Sequence, residues 1–236
     1  MSKSYIKSAI DIQNEINQEI KNSNRKIFNL KIILLGNVAV GKTAIIRRFI
    51  EDDYSSEYFC TLGIDFRIKS MIIDDRVAVD LKVWDTCGEE KYRTITRQYY
   101  RDAAGILLVF DLNCMDSFEK LKDWMKDIKL YAPKNIQIVL LGNKNDLPER
   151  EVNQNMIDKF LKDHKGISYL ETSALSGYGV DEAFKTVSIN VIKSLEVLKK
   201  KEILKKNTPD FVSANIVLSA DNNSKTINQI RKSKCC

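Results

Sequence analysis

Residues 1–26 are polar and rich in Asn, Lys and Glu, with Ile6, Ile10, Gln13, Ile16 and Ile20 at nearly helical spacing. That spacing predicts at most a marginal amphipathic helix, because helices draw most of their stability from tertiary packing. No function is assigned to it. The texture changes at Phe28. Leu30–Leu35 is a short β-rich apolar run ending at Gly36, followed by a helical stretch from Lys42 to about Glu51 and a polar, aromatic loop over Asp52–Leu62. Ile64–Ile73 and Val77–Trp84 are strand candidates on either side of the turn Asp74-Asp75-Arg76. Ile106–Asp111 and Ile136–Leu141 are apolar throughout, as strands buried on both faces are. Between them Phe118, Leu121, Trp124, Met125 and Ile128 make Ser117–Leu130 an amphipathic helix with Ser117 as its expected N-cap. Met156–Leu161, Ile167–Leu170 and Asp181 to about Lys201 continue the alternation, and after Lys206 no period is sustained. Repeated β and α segments predict an α/β fold: a mostly parallel sheet covered on both faces, with ligands at the carboxyl ends of the strands.

Composition narrows the class. The 236 residues are 44% hydrophobic and 30% charged, the balance of a globular chain rather than a disordered one. The longest apolar run, Ala103–Phe110, falls far short of the roughly 18 residues that span a bilayer, and Met1–Lys31 holds no signal-like apolar core. Five cysteines do not make a disulfide framework in a chain of this size. Cys60, Cys87 and Cys114 have no metal-ligand spacing and are read as reduced packing residues. His164, the single histidine, is expected to be exposed on a helix and leaves no histidine-based triad. The 38 basic and 32 acidic residues give a net charge of +6, and the stretch from Asn190 onward alone, with ten basic against four acidic residues, carries that same +6. A neutral body with a basic tail points to an anionic partner, either a membrane or nucleic acid.

Gly36-Asn37-Val38-Ala39-Val40-Gly41-Lys42-Thr43 fits G-x-x-x-x-G-K-[ST] at every fixed position, after a predicted strand and at the start of a predicted helix. In that setting backbone N–H groups of the loop and of the helix start, through Ala44, converge on phosphates. Lys42 places a point charge on the β- and γ-phosphates and the Thr43 hydroxyl ligates Mg²⁺. With these residues the chain resembles a Ras-superfamily small GTPase, and in detail the Rab family, over about residues 28–200.

The resemblance implies a P-loop NTPase fold: a six-stranded, mostly parallel sheet with one antiparallel edge strand. It also implies a division into a flexible extension (1–27), a GTPase domain (28–200) and a flexible basic tail (201–236). Asn143-Lys144-Asn145-Asp146 resembles the N-K-x-D guanine motif. The Asp146 carboxylate can accept both the N1–H and the exocyclic N–H of guanine, whereas adenine would confront it with an acceptor. Glu171-Thr172-Ser173-Ala174 resembles the E-T-S-A loop, whose backbone N–H groups at Ser173 and Ala174 cover the guanine O6, and Tyr54 matches the aromatic that stacks near the base. Thr61, 18 residues after Thr43, matches the first-switch threonine that meets Mg²⁺ and the γ-phosphate. Asp85-Thr86-Cys87-Gly88-Glu89 resembles D-x-x-G-Q, with Asp85 holding Mg²⁺ through water and the Gly88 N–H sensing the γ-phosphate. Leu62-Gly63-Ile64-Asp65-Phe66, Trp84, Tyr92 and Tyr99 match the Rab surface that effectors read in the GTP state. Loss of the γ-phosphate would then release both switches.

Two departures bear on hydrolysis. Glu89 stands where the family usually has the water-orienting Gln. An ionised carboxylate only accepts hydrogen bonds and adds charge beside the γ-phosphate. Val38 stands where the family has a small residue, and its branched side chain crowds the space for an arginine finger. Slow intrinsic hydrolysis with a long-lived GTP state is the expectation, the alternative being a hydrolysis-deficient GTP-bound scaffold. The terminal Cys235-Cys236 pair, after Arg231-Lys232-Ser233-Lys234, resembles the Rab site for two geranylgeranyl groups. Two lipid chains with basic residues meet the requirement for stable anchoring. The implied protein is a monomer, lipid-anchored on the cytoplasmic face of an endomembrane or the plasma membrane and exchanging with cytosol. Its implied partners are effectors, an exchange factor, an activating protein and a prenyl-binding chaperone. Nucleic acid is not expected, because the lysine tail lacks interleaved aromatics and a reading motif.

Overall fold

A computed structural model describes residues 9–54, 64–86, 88 and 97–207. In chain order the elements are α1 (Ala9–Asn22), β1 (Lys26–Leu35), α2 (Lys42–Glu51), β2 (Ile64–Ile72), β3 (Val77–Thr86), β4 (Gly105–Asp111), α3 (Met115–Glu119), α4 (Leu121–Tyr131), β5 (Gln137–Asn143), α5 (Gln154–Asp163), β6 (Ser168–Glu171) and α6 (Val180–Asn207). The six strands form one sheet in the order β2-β3-β1-β4-β5-β6. β1 runs parallel to β3 and β4, β5 to β4, and β6 to β5, while β2 alone is antiparallel, folding back on β3 with Ile64 opposite Thr86 and Ile72 opposite Ala78.

Burial explains the order. Every residue of β4 is buried, so this run can sit only where helices cover both faces. Alternate side chains of the central strands face two cores. On one face Leu30, Ile32 and Leu34 of β1 join Leu107 and Val109 against Ile45 and Phe49 of α2 and Phe184 and Val187 of α6. On the opposite face Ile33 and Leu35 join Ile106, Leu108 and Phe110 against Tyr100, Leu121, Trp124 and Ile128. The parallel register brings the ends of β1, β3, β4 and β5 to one edge of the sheet, where the loops carrying the candidate chemistry emerge. The chain divides into two compact units, Met1–Val197 and Leu198–Cys236, and the described part of the second is helical. Among the described residues no helix is long and apolar enough to cross a membrane.

The structure corrects several expectations. β1 begins at Lys26 rather than Leu30, because Lys26 N–H donates to Arg76 O at the adjacent hairpin turn. The helix expected over Ser117–Leu130 is two helices meeting at Lys120, and Ser117 does not cap it. Its hydroxyl instead accepts from the Asp111 N–H (3.0 Å) and donates to Cys114 O (2.7 Å), tying α3 to the end of β4. In residues 9–22 the marginal helix that the isoleucine spacing allowed is present as α1, whose Ile20 is 5% exposed. Gln13 Nε2 donates to Ser70 O (3.0 Å), so α1 lies against β2 and satisfies part of an edge strand. His164 follows α5 half-buried, its ring 4.3 Å from that of Phe160, rather than standing exposed.

Phe49 and Phe184 stack with centroids 3.7 Å apart, joining α2 to α6 beneath the sheet. Phe184→Ala should cost about 3–5 kcal/mol in urea unfolding. Leu130→Ala, at a side chain 72% exposed, should stay within about 0.5 kcal/mol of the parent. Equal effects of the two would refute this packing.

Candidate functional site

The loop after β1 is shaped by what crowds it. Gly41 takes φ 95° at the N-cap of α2, and a Cβ there would fall 2.3 Å from Asn143 Nδ2, so only glycine lets the loop pass beneath β5. Beyond it, Lys42 opens α2 and is only 5% exposed. Its ammonium folds back to donate to Gly36 O (2.9 Å) and Asn37 O (2.8 Å), which sets a positive charge inside the curve of the loop. Ala39 takes a left-handed φ of 63°, Val40 is buried, and Val38 stands out at 47% exposure. Ala44 is half-buried on the first turn of α2.

From β3, Asp85 reaches the same place. Its Oδ2 accepts from the Thr43 hydroxyl at 2.6 Å, while its Oδ1 is buried with no hydrogen-bond partner among the described residues. Burial raises the Asp85 carboxyl above the usual aspartate range, against the opposing pull of Thr43 and Lys42. Gly88 is seated against the loop: a Cβ there would lie 2.5 Å from both Asn37 O and Lys42 Nζ. A hydroxyl and a carboxylate with a buried unmatched oxygen are oxygen ligands that suit a hydrated Mg²⁺, and the nearby ammonium suits the phosphates such an ion accompanies.

The other half of the site comes from the ends of β5 and β6. Asn143, 1% exposed, donates from Nδ2 to Val40 O (2.8 Å) and accepts from the Thr172 hydroxyl at 3.1 Å. Lys144 takes φ 64° and its ammonium pairs with Asp111 at 2.7 Å. Asp146 is exposed, and its carboxylate accepts from the hydroxyl of buried Ser173 at 2.5 Å, with Ala174 buried beside it. Four residues that no motif signalled support this half. Arg48 of α2 donates to Ala174 O (3.0 Å) and Leu175 O (2.8 Å), bracing the loop after β6. Asp111 restrains Lys144, and Arg150 pairs with Glu171. Tyr169 donates to Glu171 (3.0 Å), and burial together with that carboxylate raises its phenol far above the usual range. Only the spacing of Arg48, six residues after Lys42 on the same helix, could have hinted at any of these.

Tyr54 stands just beyond α2 at 36% exposure and makes no ring contact with another described residue. Phe66, Trp84 and Tyr99 do come together, with centroids 5.1 and 5.0 Å apart, and Lys31 Nζ lies 5.0 Å from the Trp84 ring centre. Asp65 is exposed beside them and pairs with Arg67. Thr61, Leu62, Gly63, Glu89, Tyr92, Cys60, Cys87, Cys235 and Cys236 lie outside the described residues, as does the Ile64 side chain.

The family model described as Ras family matches residues 31–193. Among curated relatives, the Ras-related protein Rab-13 of Bos taurus is 44% identical over 163 residues, covering 69% of this chain and 79% of that protein. The Rab-13 of Mesocricetus auratus aligns with the same identity and coverage. The Ras-related protein RABD1 of Arabidopsis thaliana is 39% identical over 173 residues, covering 73% and 84%.

Because burial lifts the Asp85 carboxyl, its contribution to stability is full below the ordinary aspartate range, about pH 4, and is lost as pH rises through the lifted value. In protein stripped of ligand by a chelator, Asp85→Asn should therefore melt above the parent at pH 7, with the gap closing toward about pH 4. A variant that melts below the parent at pH 7 would contradict this electrostatic account.

Proposed function

The chain belongs to the Ras family as a Rab small GTPase, and on that premise we propose that it is a guanine-nucleotide switch that recruits effectors in intracellular membrane trafficking. The observation that carries the reading is the meeting of Lys42, Thr43 and Asp85 at the end of β1, joined through Asn143 to the loops that present Asp146 and Ser173.

The roles follow from charge and hydrogen-bond direction. Backbone N–H groups from Gly36 to Ala44 and the Lys42 ammonium would hold the β- and γ-phosphates. The Thr43 hydroxyl, the Thr61 hydroxyl and, through water, Asp85 would hold Mg²⁺, which when bound neutralises charge developing on the phosphate oxygens. The Asp146 carboxylate accepts from two guanine N–H groups once Ser173 shares it, while Ser173 and Ala174 N–H groups meet O6 and Tyr54 stacks near the base. An asparagine at 146 would turn one acceptor into a donor and so favour xanthine, which carries a carbonyl where guanine carries its amine. Asp65, Phe66, Trp84 and Tyr99, with Leu62, Gly63, Ile64 and Tyr92, make the effector face.

Slow intrinsic hydrolysis is part of the same proposal. The exposed Val38 side chain projects from the loop that cradles the phosphates, and Glu89 cannot donate to an attacking water as an amide can. Cys235 and Cys236 would carry two prenyl groups that, with the basic tail, anchor the chain to a membrane and make it a ligand for a prenyl-binding chaperone. An exchange factor and an activating protein would set the nucleotide state.

Calorimetry with Mg²⁺ and GTP or GDP should show tight binding and a preference of several orders of magnitude over the adenine nucleotides, and Asp146→Asn should transfer that preference to xanthine nucleotides. Equal affinity for ATP and GTP would sink the guanine assignment. In single-turnover assays Glu89→Gln and Val38→Ser should each quicken GTP hydrolysis, every tenfold gain corresponding to about 1.4 kcal/mol of barrier. No acceleration in either variant refutes the slow-turnover part and leaves the switch.

A further inference from the structure

Trp124 lies on α4, on the face of the sheet opposite α2, and is 1% exposed. A buried indole N–H requires an acceptor. Trp124 Nε1 donates to Asn37 Oδ1 at 2.8 Å, so a residue of a packed helix grips the side chain of the second position of the phosphate loop. The same Asn37 accepts at its backbone carbonyl from the Lys42 ammonium at 2.8 Å. Gly88 closes on that peptide from the other side, since a Cβ on it would lie 2.4 Å from Asn37 C. One turn further along α4, buried Asp127 pairs with Arg97 at 3.0 Å, where the described chain resumes after the second switch. Residues three apart on a helix share a face. One side of α4 thus holds the phosphate loop through Trp124 and the far end of the switch segment through Asp127.

We propose that Trp124 is a positioning residue for nucleotide retention: its N–H fixes Asn37, and through the Asn37 carbonyl it sets where the Lys42 ammonium stands. The proposal rests on the nucleotide-binding reading of this loop and adds to it a residue that touches neither phosphate nor base. The hydrogen bond acts at a distance from the ligand. Its loss leaves Asn37 free to turn its peptide, and the ammonium follows the carbonyl that accepts from it. Trp124→Phe removes the donor and keeps a smaller aromatic ring against the sheet, and Asn37→Ala removes the acceptor without touching that packing.

The test uses the full chain loaded with a fluorescent GDP analogue and Mg²⁺, and follows release into excess GDP for the parent, Trp124→Phe, Asn37→Ala and the double variant. Each single change should speed release about three- to tenfold, the range of one lost hydrogen bond. The double variant should release no faster than the faster single one, because both remove the same bond. Multiplying effects would mean that Trp124 and Asn37 act independently, through packing and through ligand contact, and would overturn the proposal. Unchanged release in both singles would overturn it as well. Should Trp124→Phe fail to fold, Asn37→Ala decides alone, with unchanged release counting against the proposal. Failure of the parent to bind the analogue would instead remove the nucleotide reading beneath it.

Discussion

The buried carboxamide of Asn143 joins two loops that lie far apart in the chain, reaching back 103 residues to Val40 and forward 29 to Thr172. It donates to Val40 O in the loop after β1 and accepts from Thr172 in the loop after β6, in a place too tight for any residue but glycine at position 41. A side chain that only donated or only accepted would leave one buried partner unmatched, which costs more than the bond itself contributes. The separation between the loop after β1 and Asp146 is therefore set by a short covalent group rather than by flexible loops. The parallel strands bring the two regions near each other, and the amide fixes the remaining distance.

Charge is then arranged around that fixed frame. The Lys42 ammonium is held by two carbonyls, and Asp85 is kept buried with one oxygen unmatched among the described residues, although burial alone favours its neutral form. Such an arrangement is unfavourable for folding and suited to a ligand that supplies the missing countercharges. On the adjoining sheet edge, Phe66, Trp84 and Tyr99 form a half-open aromatic surface with Lys31 against it. Partial burial lowers the Lys31 pKa from its usual value, while Asp102 opposes that shift.

Much of this was legible in the sequence because the informative residues obey local rules. The alternation of apolar runs and amphipathic stretches marked five of the six strands within a few residues, and β4 lies within one residue of its expected start. The G-x-x-x-x-G-K-T spacing placed Lys42 and Thr43 at the start of α2, since a helix beginning just after glycine is the geometry that such a loop requires. What escaped has no local signature. Arg48, Asp111, Arg150 and Trp124 act on partners far away in the chain, and only the fold brings those partners near. Ser117 had the chemistry of an N-cap, but the end of β4 offered it a buried N–H that needed an acceptor more. Nothing in the polar composition of residues 9–22 showed that β2 would supply a surface for α1.

The docking of α1 has a consequence for how many copies can share a small space. The outermost strand of an open sheet is a template on which another molecule's strand can align, and the hazard grows with local concentration. Gln13 occupies the carbonyl of Ser70, and the half of β2 from Lys69 onward is shielded, while Asp65–Ile68 stay exposed. Of that margin only the end at Asp65–Ile68 is open to a strand from another molecule. The docked helix thus narrows the template that crowding could exploit.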